Sequence, residues 1–241
     1  MTRPSETFTP WLGVFETLRV LDGKPLFFIE HREELARAIA ALRLASDLDF
    51  ADEAAKLPAK SGRWRWIVTP EGTRTMFTEE PPPSHEPVTL SVSPVCVGSA
   101  NWDARFKTFG YLSHAQAAKL AEPGEAVLLN EAGHVASAAR SNIFWTRGGE
   151  LFTPAHEAGC RCGVVRRLVL ENVKTVQGQF PLKDLLEADE IFLTNSMKGI
   201  VSVRAIGDRK LAAFPMAETL RELYASAIMR MVQNRLPMKH W

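Results

Sequence analysis

The stretch "FKTFGYL" (residues 106–112) sets one ammonium group into an apolar, aromatic run. Read as a strand, its period of two puts Lys107, Phe109 and Tyr111 on one face and Phe106, Thr108 and Gly110 on the other. One reading is an edge-strand lysine whose stem packs while its head reaches water. The other is a lysine kept partly dry, so that it can give up its proton and attack a carbonyl carbon. The spacing alone favours the first, and the rest of the chain must decide.

Upstream, "GVFETLRVLDGKPLFFIEH" (13–31) predicts two strands joined by a turn at Asp22-Gly23. Leu35, Ala38, Ile39 and Leu42 then recur at helical spacing, and "ADEAAKL" (51–57) predicts a second short helix. "RWRWIVT" and "TRTMFT" form a hairpin turned at Glu71-Gly72. The proline-rich "EEPPPSHEP" (79–87) is a loop, "VTLSVSPV" a strand and "CVGSANWDA" a connection between two lobes. Downstream of the lysine come a helix over 113–122 and the strands "EAVLLN", "GHVAS", "SNIFWT" and "ELFTP". Gly163 opens a helix through "VVRRLVLENV", and "ADEIFLTNS" and "GIVSVRAI" are strands. Leu220, Leu223, Tyr224, Ala227, Ile228 and Met231 share one face of a final amphipathic helix. Without strict strand–helix alternation, the pattern predicts an α+β architecture with mostly antiparallel or mixed sheets. Neither a G-x-G-x-x-G turn after a strand nor a P-loop is present, which disfavours the common nucleotide folds.

The 241 residues are 46% hydrophobic and 24% charged, with a net charge of +1. That balance supplies no global field for nucleic acid or an anionic membrane. No apolar window reaches the length of a membrane span, and "MTRPSETFTPWLG" lacks a signal-peptide core. Three cysteines, Cys96, Cys160 and Cys162, suggest reduced thiols in the cytoplasm. The Cys160-Arg161-Cys162 pair, with His134 and His156 upstream, lacks the two-residue spacer of most zinc pairs, so no metal is expected.

Taken in order, "GVFETLRVLDGKPLFFIEH", "LSVSPV", "KTFGYLSHAQAAKLA", "EAVLLNEAGHVASAARSNIFWTRGGELFTP", "GVVRRLVL" and "ADEIFLTNSMKGIVSV" resemble the class IV aminotransferases. These are the fold-type IV enzymes that use pyridoxal 5′-phosphate (PLP). They include branched-chain and D-amino-acid aminotransferases and 4-amino-4-deoxychorismate lyase. The resemblance runs from Gly13 to about Val203 in the family's own order.

The resemblance implies that Lys107 is the lysine that binds PLP covalently and later moves the Cα proton as a general base. Tyr111 then either hydrogen-bonds the cofactor's phenolic oxygen or simply packs. The phosphate is expected at the helix start Gly163-Val164-Val165, where free amides bind anions. Thr194-Asn195-Ser196 would form a second wall, in place of a plain strand-end turn. A small α+β lobe (1–97), a connection (98–102) and a larger, barrel-like lobe carrying the lysine (103–241) would enclose PLP in their cleft. Family members are usually homodimers in which the partner's small lobe closes the site.

Three departures stand out. Aligning Gly133 and Asn142 puts Ser137 where the family's glutamate faces the pyridine nitrogen, which weakens the ring as an electron sink. Glu34 stands where the family carries a phosphate-gripping arginine, leaving Arg32 or Arg37 as substitutes. Pro10-Trp11-Leu12-Gly13 replaces the usual turn before "GVFET". The expectation is a PLP-dependent lyase resembling 4-amino-4-deoxychorismate lyase, which removes pyruvate and leaves 4-aminobenzoate. The alternatives are an aminotransferase on a small or branched-chain amino acid, and a non-catalytic relative that has lost PLP.

Overall fold

The computed structural model describes residues 12–47 and 49–233, so Pro10 and Trp11 of the altered turn lie outside the described residues. The first sheet is built from β1 (Val14–Leu21), β2 (Lys24–Pro25), β3 (Gly62–Thr69) and β4 (Gly72–Glu79), in the order β2-β1-β3-β4. All its pairings are antiparallel. Asp22 and Gly23 carry φ of 49° and 78°, the positive pair that a tight two-residue hairpin turn needs. The second strand of that hairpin is only two residues long. Phe27 takes a left-handed φ of 53°, and helix α1 (Phe28–Leu42) begins at once. Alternation along β1 and β3 buries Val14, Leu18 and Val20 against Trp64, Trp66 and Val68. Helix α1 lays Leu35, Ala38 and Leu42 on that layer, and α2 (Phe50–Ala55) adds Ala54.

The remaining elements are β5 (Val88–Val97), α3 (Trp102–Arg105), α4 (Leu112–Leu120), β6 (Glu125–Asn130), β7 (Val135–Ala138), β8 (Asn142–Arg147) and β9 (Glu150–Pro154). After them come α5 (Val164–Asn172), β10 (Thr175–Gly178), α6 (Leu182–Leu186), β11 (Glu190–Asn195), β12 (Gly199–Ile206), β13 (Arg209–Lys210) and α7 (Pro215–Gln233). Their strands form one mixed sheet, ordered β10-β9-β8-β11-β12-β5-β6-β7, with β13 on β12. The pairs β10/β9, β12/β5 and β5/β6 are parallel.

Strand β5 pairs with β6 and β12 of this second sheet. The change of sheet therefore comes at the proline-rich segment 80–87, ahead of the 98–102 connection that the sequence suggested. Proline lacks the amide that would continue a ladder, so the run releases the chain from β4.

Both faces of the large sheet are covered. Ile143, Trp145, Ile191 and Leu193 point into one core, whereas Phe144 and Phe192 point into the other. That second core is closed by Val165 and Val169 of α5 and by Leu220, Tyr224 and Ala227 of α7. Phe144 and Phe192 stack with ring centroids 5.1 Å apart.

Residues 106–112 do not form the strand expected of them. They make a single bridge, Val14 to Thr108, and then turn into α4. The Phe15 amide donates to the Lys107 carbonyl at 2.9 Å, and the Phe109 amide donates to the Gly13 carbonyl at 3.0 Å. Strand β3 already occupies one edge of β1, and the segment meets the other edge only at Gly13, Val14 and Phe15 before it turns into α4. The aromatic residues still converge, but around Phe15. Phe109 stacks on that ring at 5.9 Å and Tyr111 meets it edge-on at 6.5 Å.

Candidate active site

The two sheets meet in a cup of about 70 Å³ that opens beside Lys107. Strand β1 supplies Glu16, which shares the buried face with Val14 and Leu18. Helix α1 supplies His31 from the same stripe as Leu35 and Ala38. A charged group on an apolar face needs partners, and Glu16 has two side-chain partners and the Thr17 amide. One Oε2 atom lies 2.7 Å from His31 Nδ1 and 3.4 Å from Lys107 Nζ. Burial alone would push the Glu16 carboxyl up. The Lys107 ammonium, with His31 and the Thr17 amide, overcomes this and holds it down at about 2.

Burial lowers the pKa of Lys107. Glu16 offsets part of that effect, while the nearby Arg161 and Arg65 guanidinium groups push in the same direction as burial. The side chain is 29% exposed, and it lines both the cup and a neighbouring cavity. This is an amine with an escape route for its proton and an open approach for a carbonyl carbon.

The far wall comes from the large sheet. Ser137 on β7 and Thr194 on β11 are 5% and 1% exposed, and both hydroxyls lack a partner among the described residues. Both line the cup, so a bound molecule offering polar atoms would satisfy them. Asn195 and Ser196 continue that wall. The Asn195 side chain is occupied by its own turn, accepting from the amides of Met197 and Lys198 and donating to Ser141 Oγ.

Helix α5 points its N-terminus at the cup through Val164 and Val165. Gly163 precedes it without a side-chain cap, so the first-turn amides have no intrahelical acceptor. A Cβ on Gly163 would collide with Asn142 Oδ1, so only glycine lets the chain pass this close. Asn142 is in turn fixed by the Arg161 carbonyl, to which its Nδ2 donates at 2.8 Å.

Glu34 also lines the cup, whereas Arg32 and Arg37 are not among its lining residues. Arg37 is turned outward and paired with Glu34. The arginines that line the cup are instead Arg105, Arg140 and Arg161. Tyr111 sits outside the cup, in the wall of the neighbouring cavity. Its hydroxyl donates to the Ala139 carbonyl at 3.1 Å, and its ring stacks on His114 at 4.0 Å.

Cys162 Sγ lies 3.8 Å from His156 Nδ1, but no group of three potential metal ligands gathers among the described residues. Among the described residues, no helix is long and apolar enough to cross a membrane.

Sequence reading passed over Glu16, His31 and Arg161. For the first two the signal was present, since each is polar at an apolar position of an otherwise regular pattern. Arg161 sits in a loop, where periodicity carries no information.

The family model for amino-transferase class IV matches residues 13–206. The chain belongs to this family. Among curated class IV relatives, the aminodeoxychorismate lyase of Bacillus subtilis (strain 168) is 28% identical over 260 residues, covering 93% of this chain and 88% of the relative. A probable branched-chain-amino-acid aminotransferase of Thermotoga maritima is 24% identical, covering 92% and 88%. Among solved structures, a putative 4-amino-4-deoxychorismate lyase from Legionella pneumophila superposes with a TM-score of 0.80 at 22% identity, covering 93% of this chain and 97% of the other. A PLP-bound aminotransferase from Brucella abortus superposes with a TM-score of 0.78 at 24% identity, covering 90% and 89%. These likenesses fix the fold as that of the class IV, fold-type IV enzymes.

Proposed function

We propose that this chain is a PLP-dependent lyase that resembles 4-amino-4-deoxychorismate lyase, releasing pyruvate and leaving 4-aminobenzoate. The observation that carries the reading is the cup itself. Lys107 faces the two unpartnered hydroxyls of Ser137 and Thr194 and the uncapped start of α5. That donor set fits PLP. Lys107 would hold it covalently, the Val164 and Val165 amides with Thr194, Asn195 and Ser196 would hold its phosphate, and Ser137 would face its pyridine nitrogen.

When bound, PLP supplies an aldehyde and an aromatic ring that accepts electrons from the substrate's Cα. The chain's own residues do the rest. Once displaced by substrate, Lys107 takes the Cα proton on Nζ. Glu16, 3.4 Å away, steadies the ammonium that results, and His31 keeps the carboxylate aimed. Phe15, which lines the cup beside the amine, adds an apolar surface there.

Ser137 favours elimination over amino-group exchange, because a hydroxyl cannot hold the pyridine nitrogen protonated as a carboxylate does. The Bacillus subtilis relative points the same way. A second reading, transamination of a small or branched-chain amino acid, is supported by the Thermotoga maritima relative. The non-catalytic reading finds no support among the relatives, which are named as lyases and aminotransferases.

The test is direct. Protein incubated with PLP turns yellow, and borohydride followed by peptide mapping places the label on Lys107. Formation of 4-aminobenzoate and pyruvate from 4-amino-4-deoxychorismate supports the lyase. Stable pyridoxamine phosphate and keto acid, formed from an amino acid, would replace it with the transferase.

A further inference from the structure

The cavity beside the cup holds about 590 Å³, and its wall includes seven Arg and Lys residues. Most of these have an acid partner. Arg63 is paired with Glu80 at 3.0 Å, Lys119 with Glu122 at 2.8 Å and Arg140 with Glu125 at 3.7 Å. Arg161 has none. Among the described residues its guanidinium makes no hydrogen bond or ion pair, and Nη1 is buried without an acceptor. Glu16 and Asp103 act on it only from a distance.

The side chain is nonetheless held in place. Its Cζ lies 4.3 Å from the centroid of the Tyr111 ring, and that ring is pinned through its hydroxyl to Ala139. Its backbone carbonyl accepts from Asn142 and from the Gly163 amide. A guanidinium lying over an aromatic face keeps its in-plane N–H fork free for an acceptor. Arg65 lies 5.2 Å over the Phe15 ring and also lacks a bonded acid, but it lines only the larger cavity. Arg161 lines both the larger cavity and the Lys107 cup.

We propose that Arg161 anchors a carboxylate of the amino substrate, fixing it in the larger cavity with its amino group turned to Lys107. This rests on the functional reading above. A desolvated cation with open, coplanar donors matches a carboxylate in charge and in geometry. Burial already pulls its pKa down to about 10, so an arriving anion relieves an existing cost. Tyr111 thereby acquires a purpose beyond packing, as the platform that aims the fork.

The experiment uses two reagents that displace Lys107 from the PLP aldehyde carbon through the same nitrogen chemistry. Aminooxyacetate carries a carboxylate and methoxyamine does not. PLP-loaded wild type, R161M, R161K and R65M are reacted with each, and the ratio of the two rate constants is compared. Removing a charge near Lys107 changes its proton affinity, but that acts on both reagents and cancels in the ratio. The expected result is a fall of about ten-fold or more in the aminooxyacetate-to-methoxyamine ratio for R161M. R161K keeps the charge and loses the fork, and a fall of about two- to five-fold is expected there. If R161M does not fold, R161K decides alone. An unchanged ratio with Lys107 still labelled by borohydride overturns the anchor, as does a fall confined to R65M. Failure of the wild type to label at Lys107 overturns the functional reading, and the anchor with it.

Discussion

Lys107 Nζ stands 3.4 Å from Oε2 of Glu16, a residue ninety-one positions earlier in the chain. The contact joins the small sheet to the segment that enters α4, and it ties the charge of the amine to a carboxylate held near pH 2. Substituting Glu16 by Gln therefore has two effects. Lys107 loses its counter-charge and its pKa falls further, so the pH above which PLP is captured moves down, as followed by the growth of imine absorbance. Glu16 is also depressed on folding from its ordinary 4.5 to about 2. Its stabilisation is present above 4.5 and is lost as pH falls through 2. E16Q should cost on the order of 3 kcal/mol at pH 7, and the deficit should vanish towards pH 2 in acid titrations of denaturant stability.

Glu34 carries the opposite sign. Burial pushes its carboxyl up from 4.5 to about 7, with the Glu16 charge adding to the rise, while Arg37, Arg167 and Lys107 work against it. The unfolded chain releases this proton first, so the contribution of Glu34 falls as pH rises from 4.5 to 7. E34Q is expected to raise the melting temperature at pH 8, with a gain on the order of 2 kcal/mol that disappears below pH 4.5. PLP affinity of E34Q, measured by fluorescence quenching at pH 8, should exceed that of the wild type, because a carboxylate no longer faces the anion cup.

Gly163 gives the α5 N-terminus its close passage. In G163A the new methyl meets Asn142 Oδ1, so either Asn142 leaves the Arg161 carbonyl or the helix start retreats. A loss of roughly 1–3 kcal/mol in stability follows from the overpacking. The equilibrium constant for PLP should weaken about ten-fold, whereas the substitution of an exposed α5 residue such as Glu171 by Ala should leave it unchanged.

Phe192 tests the core that seats the site. It is fully buried, stacks on Phe144 and belongs to the cluster that α5 and α7 close. F192A should lower unfolding free energy by about 3–5 kcal/mol in urea titrations, with Lys107 still labelled at temperatures where the variant remains folded.

Much of the architecture was legible before any coordinates, because burial imposes a period. The alternation in "RWRWIVT" and the helical stripe ending at Met231 placed β3 and α7, and the Asp22-Gly23 turn appeared where two positive φ angles are needed. The 106–112 segment misled because aromatic alternation looks the same whether or not a neighbouring strand has a free edge. Short elements such as β10, α6 and α3 left no signal, since four or five residues complete too little of any period.

Order along the chain was enough to indicate the α+β fold, because burial sets a period, and to single out Lys107 and the Gly163 helix start as candidates, through motifs that resemble the family in its own order. Spacing could not say that Glu16 reaches both His31 and Lys107, that Tyr111 turns its hydroxyl to Ala139, or that Arg161 finds no acid among the described residues. Those facts arise only when distant segments close on one another. The reach of a charge or a hydrogen bond is a few ångströms of space, whatever the number of residues between its ends.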